Sequence, residues 1–239
     1  MPTPAPAPNT TPDTKQGLSL QNRITLGLLA AVALVVGLAI FFNSLGNDPS
    51  QAEGTDTGTG AGTAEVVRED SHRLSQASDE KAILVEFLDF ECEACLAAYP
   101  LVEELSEEYG ENLTVVSRYF PLPGHPNSET AAAAVEAAAQ QDKFKEMHAR
   151  MYETQTEWSH TNEDRSPVFR GYAKDLGLDM AAYDTAIADP ATMERVNIDK
   201  SDGMALNVEG TPTFFLDGEK IQPATAEEFR SLIETAIAD

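Results

Sequence analysis

The spacing of apolar residues switches from that of a strand to that of a helix across one tetrapeptide, Cys92-Glu93-Ala94-Cys95. Before it, Ala82 to Phe90 reads AILVEFLDF, a nearly continuous apolar run with Glu86 inside it. A run of this kind suits a central strand covered on both faces. After it, Cys95, Ala98, Val102, Leu105 and Tyr109 recur at steps of three and four, one stripe of a helix. Leu113 to Leu122 is a second strand, ending in the turn Pro121-Leu122-Pro123-Gly124. Strand, helix and strand in this order predict a βαβ unit with a parallel pair, and so an α/β fold.

Downstream, Ser128 to Tyr152 reads as one Ala-rich helix with Ser128 as its cap. Shorter helices are expected over Pro167–Leu176, Met180–Ala188 and Pro190–Val208. Gly210 to Leu216 predicts a strand, Asp217-Gly218 a hairpin turn and Glu219 to Gln222 the return strand. Ala224 to Ala238 is the closing amphipathic helix. Trp158 reads as packing within the helical region, and His125 as a turn or surface residue.

The first quarter follows other rules. Residues 1–22, rich in Pro, Thr and Asn, read as a disordered tail. From Ile24 to Phe42 every residue except Thr25 is apolar or small. As a helix this stretch would extend roughly 28 Å, about the thickness of the hydrocarbon core. Residues 23–43 are therefore expected to be a transmembrane anchor. Lys15 and Arg23 precede it, and the next ionisable groups, Asp48, Glu53 and Asp56, are acidic. This places the N-terminus in the cytoplasm and the remainder outside. A cleaved signal peptide is the alternative, although its apolar core would be shorter. Residues 44–66 read as a flexible linker. Residues 67–239 are then the folded domain, beginning between Ala64 and Lys81, with a helical insertion at about 125–208.

Charge narrows the function classes. The 239-residue chain carries 16 Lys and Arg against 40 Asp and Glu, a formal charge of −24. Clustered cations for phosphate binding are missing from this composition, so nucleic acid is not an expected partner. The acidity reads as a soluble, self-repelling surface. The cysteine count is 2, too few for a stapled secreted scaffold. A bridge across two intervening residues closes almost no loop and adds little stability. Zinc would need two further ligands, and His72, His125, His148 and His160 form no knuckle-like pair. A purely structural bridge and inert paired thiols remain as the plainer readings.

Reactivity is the reading with a mechanism. A cysteine in the first turn of a helix faces unpaired backbone N–H groups and the positive end of the dipole, both of which favour thiolate. Cys92 takes that position and is the expected nucleophile. Cys95, one turn on and inward, can resolve a mixed disulfide formed at Cys92.

Four features resemble the thioredoxin superfamily, and more closely its DsbA-like branch. They are the strand–CxxC–helix phrase Phe87 to Cys95, Glu86 six residues before Cys92, Pro100 eight residues after it, and Gly210-Thr211-Pro212 before the last hairpin and helix. The resemblance covers roughly residues 80–239, and the helical insertion is shared with DsbA-like proteins. It implies that Glu86 is a buried acid moving protons to and from the inner cysteine. It also implies that Pro212 is a cis-proline whose loop leaves the Thr211 backbone free to pair with an extended substrate. Independently of the family, a lone carboxylate in an apolar strand is costly unless neutral, paired, functional or partly wet. The branch's best-known members place Pro-His between the cysteines, where this chain has Glu93-Ala94. With Glu91 a further acid nearby, a weaker oxidant than a Pro-His enzyme is expected.

With the expected anchor, the resemblance implies a membrane-anchored, extracytoplasmic thiol–disulfide oxidoreductase that forms disulfides in exported proteins; its oligomeric state is left open, with a monomer favoured. It would use no organic cofactor or metal and would be reoxidised by a separate membrane partner. A reductase or isomerase of the same fold, and a non-catalytic membrane-tethered module using the Thr211–Pro212 groove as a peptide cradle, are the alternatives.

Overall fold

The structure, a computed structural model, describes residues 64–238. The anchor expected at 23–43 and the tail before it lie outside the described residues, as does most of the expected linker. Among the described residues no helix is long and apolar enough to cross a membrane.

Five strands form one sheet in the order β1-β3-β2-β4-β5. They are β1 (His72–Ser75), β2 (Ala82–Leu88), β3 (Leu113–Tyr119), β4 (Thr213–Leu216) and β5 (Glu219–Ile221). Helix α1 (Glu93–Glu108) crosses between β2 and β3, which pair in parallel over their full length from Ala82↔Leu113 to Leu88↔Tyr119. β1, β4 and β5 add antiparallel pairs. β2 lies at the centre, flanked by β3 and β4, which is why its sequence is apolar on both faces. The β4–β5 hairpin turns at Asp217 and Gly218, both with positive φ (50° and 86°), as the Asp-Gly pair predicts.

β1 has no counterpart in the sequence reading. Its four residues, His-Arg-Leu-Ser, bury only Leu74, too short a pattern to separate from a loop. Glu65 and Val66, read as linker, belong to the folded unit: their carbonyls accept hydrogen bonds from Arg118 Nη1 at 2.9 and 2.8 Å.

The insertion between β3 and β4 consists of α2 (Ser128–Ala139), α3 (Phe144–Glu153), α4 (Gln155–Trp158), α5 (Ser166–Asp175), α6 (Met180–Ala188) and α7 (Pro190–Ala205); α8 (Ala226–Ala238) closes the chain. The single helix expected over Ser128–Tyr152 is therefore two. It breaks at Asp142, whose φ of 58° ends one helix while Lys143 N caps back onto Ala138 O at 3.0 Å. An aspartate reaches the left-handed region at modest cost, so the break is invisible to apolar spacing. Asp179 and Asp189 cap α6 and α7 through their side chains. Trp158 packs at right angles on Phe169 with centroids 4.8 Å apart, inside the insertion as expected.

Alternation along the strands divides the core. Leu84, Leu88, Val115 and Tyr119 face α1 and the insertion, and Glu86 shares their face. Val85, Phe87, Val116 and Phe215 face the other way. That second face is covered by α7, which comes so close at Gly203 that a Cβ there would sit 2.7 Å from the Phe120 ring. Arg118 also points to this face and is fully buried. It pairs with Asp199 (2.7 Å) and Asp202 (2.6 Å) of α7, with its guanidinium 5.3 Å from the Phe87 ring centre.

Candidate functional site: a cysteine pair under the Thr211–Pro212 loop

The end of β2 delivers Cys92 to the N-cap of α1, with extended backbone at φ −78° and ψ 123°. Both cysteines carry free thiols and both are buried, Cys95 more completely (0% exposed against 6%). Pro100 lies inside the same helix. Across from the helix start, the Thr211–Pro212 peptide bond is cis, and the Cys92 thiol donates to the Thr211 carbonyl at 3.3 Å. The Thr211 hydroxyl is buried with no hydrogen-bond partner among the described residues. Beyond the loop opens a cavity of about 660 Å³, lined in part by Ala98, Leu101, Thr211, Pro212, Phe214 and Phe229.

The environment separates the two sulfurs. A hydrogen bond from the Cys95 thiol, helped by Thr211 and by the backbone N–H groups of Cys95 and Ala94, outweighs burial and pulls Cys92 down to about 5. Burial first, then the bond given to Cys92 and the nearby Glu86 charge, hold Cys95 far above the ordinary thiol value. One sulfur is thus a thiolate at neutral pH and the other a proton-bearing thiol.

Glu86 lies on the same face of the sheet, 3% exposed. Burial, with the Cys92 and Glu103 charges, pushes its carboxyl up to about 8. It interacts electrostatically with both sulfurs. The structure thus brings together Cys92, Cys95 and Glu86, and sets Thr211 and Pro212 beside Cys92.

The acids near the pair are not bare charges. Glu91, fully buried, accepts from the backbone N–H groups of Asn127 (2.6 Å) and His160 (2.7 Å). Glu93 pairs at the surface with His160 Nε2 at 3.0 Å. Glu91 therefore ties the insertion to the cysteine loop, a role that its proximity in sequence could not reveal.

Three further residues escaped the sequence reading. Gln155, buried at the start of α4, donates from its amide to the carbonyls of Phe90 (2.8 Å) and Cys92 (2.9 Å). Asp89 accepts from Glu91 N (2.8 Å), Leu122 N (2.9 Å) and His125 Nδ1 (2.6 Å). His125, read as a turn or surface residue, is bound to Asp89 and feels the charge of Cys92. The one available signal was Asp89 itself, an acid closing an apolar strand beside a cysteine. Among the described residues no three His, Cys, Asp or Glu side chains converge as metal ligands would.

The fold has known counterparts. BdbD of Bacillus subtilis superimposes with a TM-score of 0.61 at 19% identity, over 71% of this chain and 94% of that one. α-DsbA1 of Wolbachia pipientis gives 0.61 at 17%, over 72% and 93%. In sequence, a protein named Na(+)/H(+) antiporter NhaA 1 of Mycolicibacterium vanbaalenii is 33% identical over 207 residues, 84% of this chain. The chain spans only 31% of that relative's length, and the exchange activity in its name is said of that protein alone. The thioredoxin family model matches residues 77–235, more than half of the chain, so the protein belongs to the thioredoxin family, with a DsbA-like arrangement of its helices.

Proposed function

We propose that this protein is a thiol–disulfide oxidoreductase that donates a disulfide to exported proteins from a position tethered outside the cytoplasm. The observation that carries the reading is the division of labour between the sulfurs: Cys92 drawn to about 5, Cys95 held protonated, with a buried acid beside them.

In the oxidised protein a substrate thiolate attacks Cys92 Sγ. The Cys92–Cys95 bond breaks, a substrate–Cys92 disulfide forms, and Cys95 leaves with the electron pair, taking the proton that Glu86 holds at neutral pH. A second substrate thiolate attacks the substrate sulfur of that mixed disulfide and releases Cys92 as a stable thiolate. Two electrons have passed to the protein, and the substrate leaves oxidised. The Thr211 backbone beside Cys92 suits an extended substrate segment, and the adjoining cavity its side chains. Regeneration requires a partner with a disulfide of its own, in the reading a separate membrane protein. The steps call on no metal or organic cofactor.

The low thiolate value supports this direction of transfer. A leaving thiol of low pKa stabilises the reduced form and makes the disulfide oxidising. About 5 lies between DsbA at roughly 3.5 and thioredoxin at roughly 7, which supports an oxidant weaker than a Pro-His enzyme. The tether rests on the apolar run Ile24–Phe42 and the Lys15 and Arg23 charges before it.

The reading is tested by mixing the oxidised chain with a peptide bearing two cysteines and following peptide mass. Stoichiometric peptide oxidation is expected, lost in Cys92→Ser. Cys95→Ser, given instead a peptide whose single cysteine carries a disulfide-linked small thiol, should displace that thiol through Cys92 and hold the peptide as a lasting mixed disulfide. A Cys92→Ser chain that still oxidised the peptide would refute the mechanism.

A further inference from the structure

Glu86 is 3% exposed in the central strand β2, yet the proposed reaction has it lose and regain a proton in every cycle. We infer that Glu86 exchanges that proton with water through Ser117 and His72, along a polar row that crosses the sheet to its edge. Both are positioning residues that act on Cys95 through Glu86. The inference rests on the reading of Glu86 as the proton carrier of Cys95.

The row follows from strand register. Glu86 of β2 is paired with Ser117 of β3, and Ser117 with His72 of β1. Paired residues on neighbouring strands point to the same face of a sheet, so the three side chains stand side by side on the face that carries α1 and the insertion. Contacts at the edge agree: His72 Nε2 meets Glu136 Oε2 of α2 at 2.6 Å, and the hydroxyl of Tyr119, two residues beyond Ser117, donates to the same oxygen at 3.1 Å. At the usual spacing of strands the row spans roughly 10 Å from Glu86 to His72. On its other side Glu86 is paired with Phe214, whose ring can pass no proton onward.

Each member has the chemistry a relay needs. Ser117 is buried, and its hydroxyl has no hydrogen-bond partner among the described residues. An unpaired buried hydroxyl costs free energy that an apolar residue would avoid. A hydroxyl donates and accepts at once, so Ser117 can take a proton from one neighbour while passing its own to the other, directly or through one water. His72 is the member that reaches solvent. It lies on the edge strand with its side chain 18% exposed, and it lines a surface cavity of about 440 Å³ with Phe144, Lys145 and Glu146. Its ring is held in place by stacking on Phe144, with centroids 4.2 Å apart and planes at 16°. An imidazole between water and a buried acid takes up and releases protons near neutral pH. The competing exits are the mouth at Cys92 and Glu103, partly exposed on α1, whose charge acts on Glu86. A serine that only filled the space between strands would leave the rate of proton exchange untouched.

That difference is the test. The reduced full-length chain is mixed with oxidised glutathione, quenched at intervals and resolved by mass. Cys92 Sγ attacks one glutathione sulfur, the glutathione disulfide breaks, and one glutathione leaves as thiolate. Cys95 then gives its proton to Glu86, whose own has passed to water, attacks Cys92 Sγ and expels the second glutathione. Two electrons have gone to the oxidant. The first step asks nothing of Glu86 and serves as the internal reference. Ser117→Ala and His72→Gln should each slow the second step about tenfold, less than the full worth of a proton-transfer group because water fills part of the gap. The first step and the equilibrium with glutathione should not move, since a relay changes a rate and not a balance. His72→Gln keeps a donor for Glu136, and Ser117→Thr, which keeps the hydroxyl, should retain a near wild-type second step. A wild-type second step in either folded variant overturns the inference and gives the exit to Glu103 or the mouth. A slowed step matched by a displaced equilibrium, or a Ser117→Thr chain as slow as Ser117→Ala, overturns it by reducing the effect to packing. A wild-type second step in Glu86→Gln would instead overturn the reading of Glu86, and a chain with no glutathione couple the reading of the cysteine pair.

Discussion

The Thr211 carbonyl oxygen lies 3.3 Å from Cys92 Sγ, although 119 residues separate the two in sequence. The contact joins the start of α1 to the loop before β4, where the Thr211 hydroxyl is buried without a hydrogen-bond partner among the described residues. In the dithiol the carbonyl accepts the Cys92 proton. Once Cys92 ionises, the carbonyl has nothing to accept, and the Thr211 side chain acts in the opposite sense, lowering the thiol's pKa. Thr211→Val removes that donor at nearly constant volume. The Cys92 pKa should rise by about one unit, since one unit corresponds to about 1.4 kcal/mol, close to the lower end of what a hydrogen bond to a charged group contributes. Thiolate ultraviolet absorbance against pH reads it out, and an unchanged curve would remove Thr211 from the account.

The buried Glu86 sets a pH dependence of stability opposite in sign to that of most carboxylates. Its pKa is raised from 4.5 to about 8, so the folded chain holds a proton that the unfolded chain releases. Between those values stability falls as pH rises, by about 3 kcal/mol at neutrality. In the reduced chain Cys92, lowered from 9.0 to about 5, contributes the reverse slope over most of the same range. In the oxidised chain Cys92 carries no charge, so burial still raises Glu86 but by less; that chain should lose stability from mild acid to mild base, by less than the free-thiol value implies, while the reduced chain stays nearly level. Glu86→Gln should abolish the fall in the oxidised chain and slow release of Cys95. Urea midpoints at several pH values in both redox states decide it; parallel curves for the two states would count against the assigned couplings.

Much of this site can be read from the chain because it is local. The apolar strand, the cysteine pair and the helical stripe adjoin in sequence, and Gly210-Thr211-Pro212 before an Asp-Gly hairpin marks the opposing loop. What is hidden depends on contacts between distant segments. Gln155 is a polar residue among helical ones until its amide is seen on the carbonyls of Phe90 and Cys92. His125 is a turn residue until Asp89 is placed 2.6 Å away. Edge strand β1 and the break at Asp142 fail for a different reason: each depends on a few residues with no periodicity to detect.

Gln155 is predicted to hold the cysteine loop rigid. Gln155→Leu keeps the apolar bulk but leaves the Phe90 carbonyl without this donor, while Cys92 O keeps Leu96 N at 3.1 Å. A loss of about 1–3 kcal/mol in folding stability is expected from the unsatisfied buried carbonyl. Hydrogen exchange at the start of α1 should quicken at the same time. Wild-type exchange there would mean that the amide contacts do not hold the loop.

Arg118 offers a control on the far face of the sheet. Arg118→Met leaves Asp199 and Asp202 with a buried partner missing, which costs about 3–5 kcal/mol in typical cases. Arg195 still reaches Asp199 and Arg68 still reaches Asp202, so the lower end of that range is expected. The cysteine pair lies across the sheet, and its redox equilibrium should not move. A folded variant with altered redox behaviour would reveal coupling through the sheet that the proposed mechanism lacks.

The measurement closest to the central claim is the reduction potential of the Cys92–Cys95 pair, obtained by equilibrating the full-length chain with glutathione buffers. A thiolate near 5 over a protonated partner predicts a potential near or above roughly −200 mV, in the range of oxidants and isomerases. A value near roughly −270 mV would make the protein a thioredoxin-like reductase and reverse the proposed direction of electron flow. The absence of any reversible couple would contradict the account at its root.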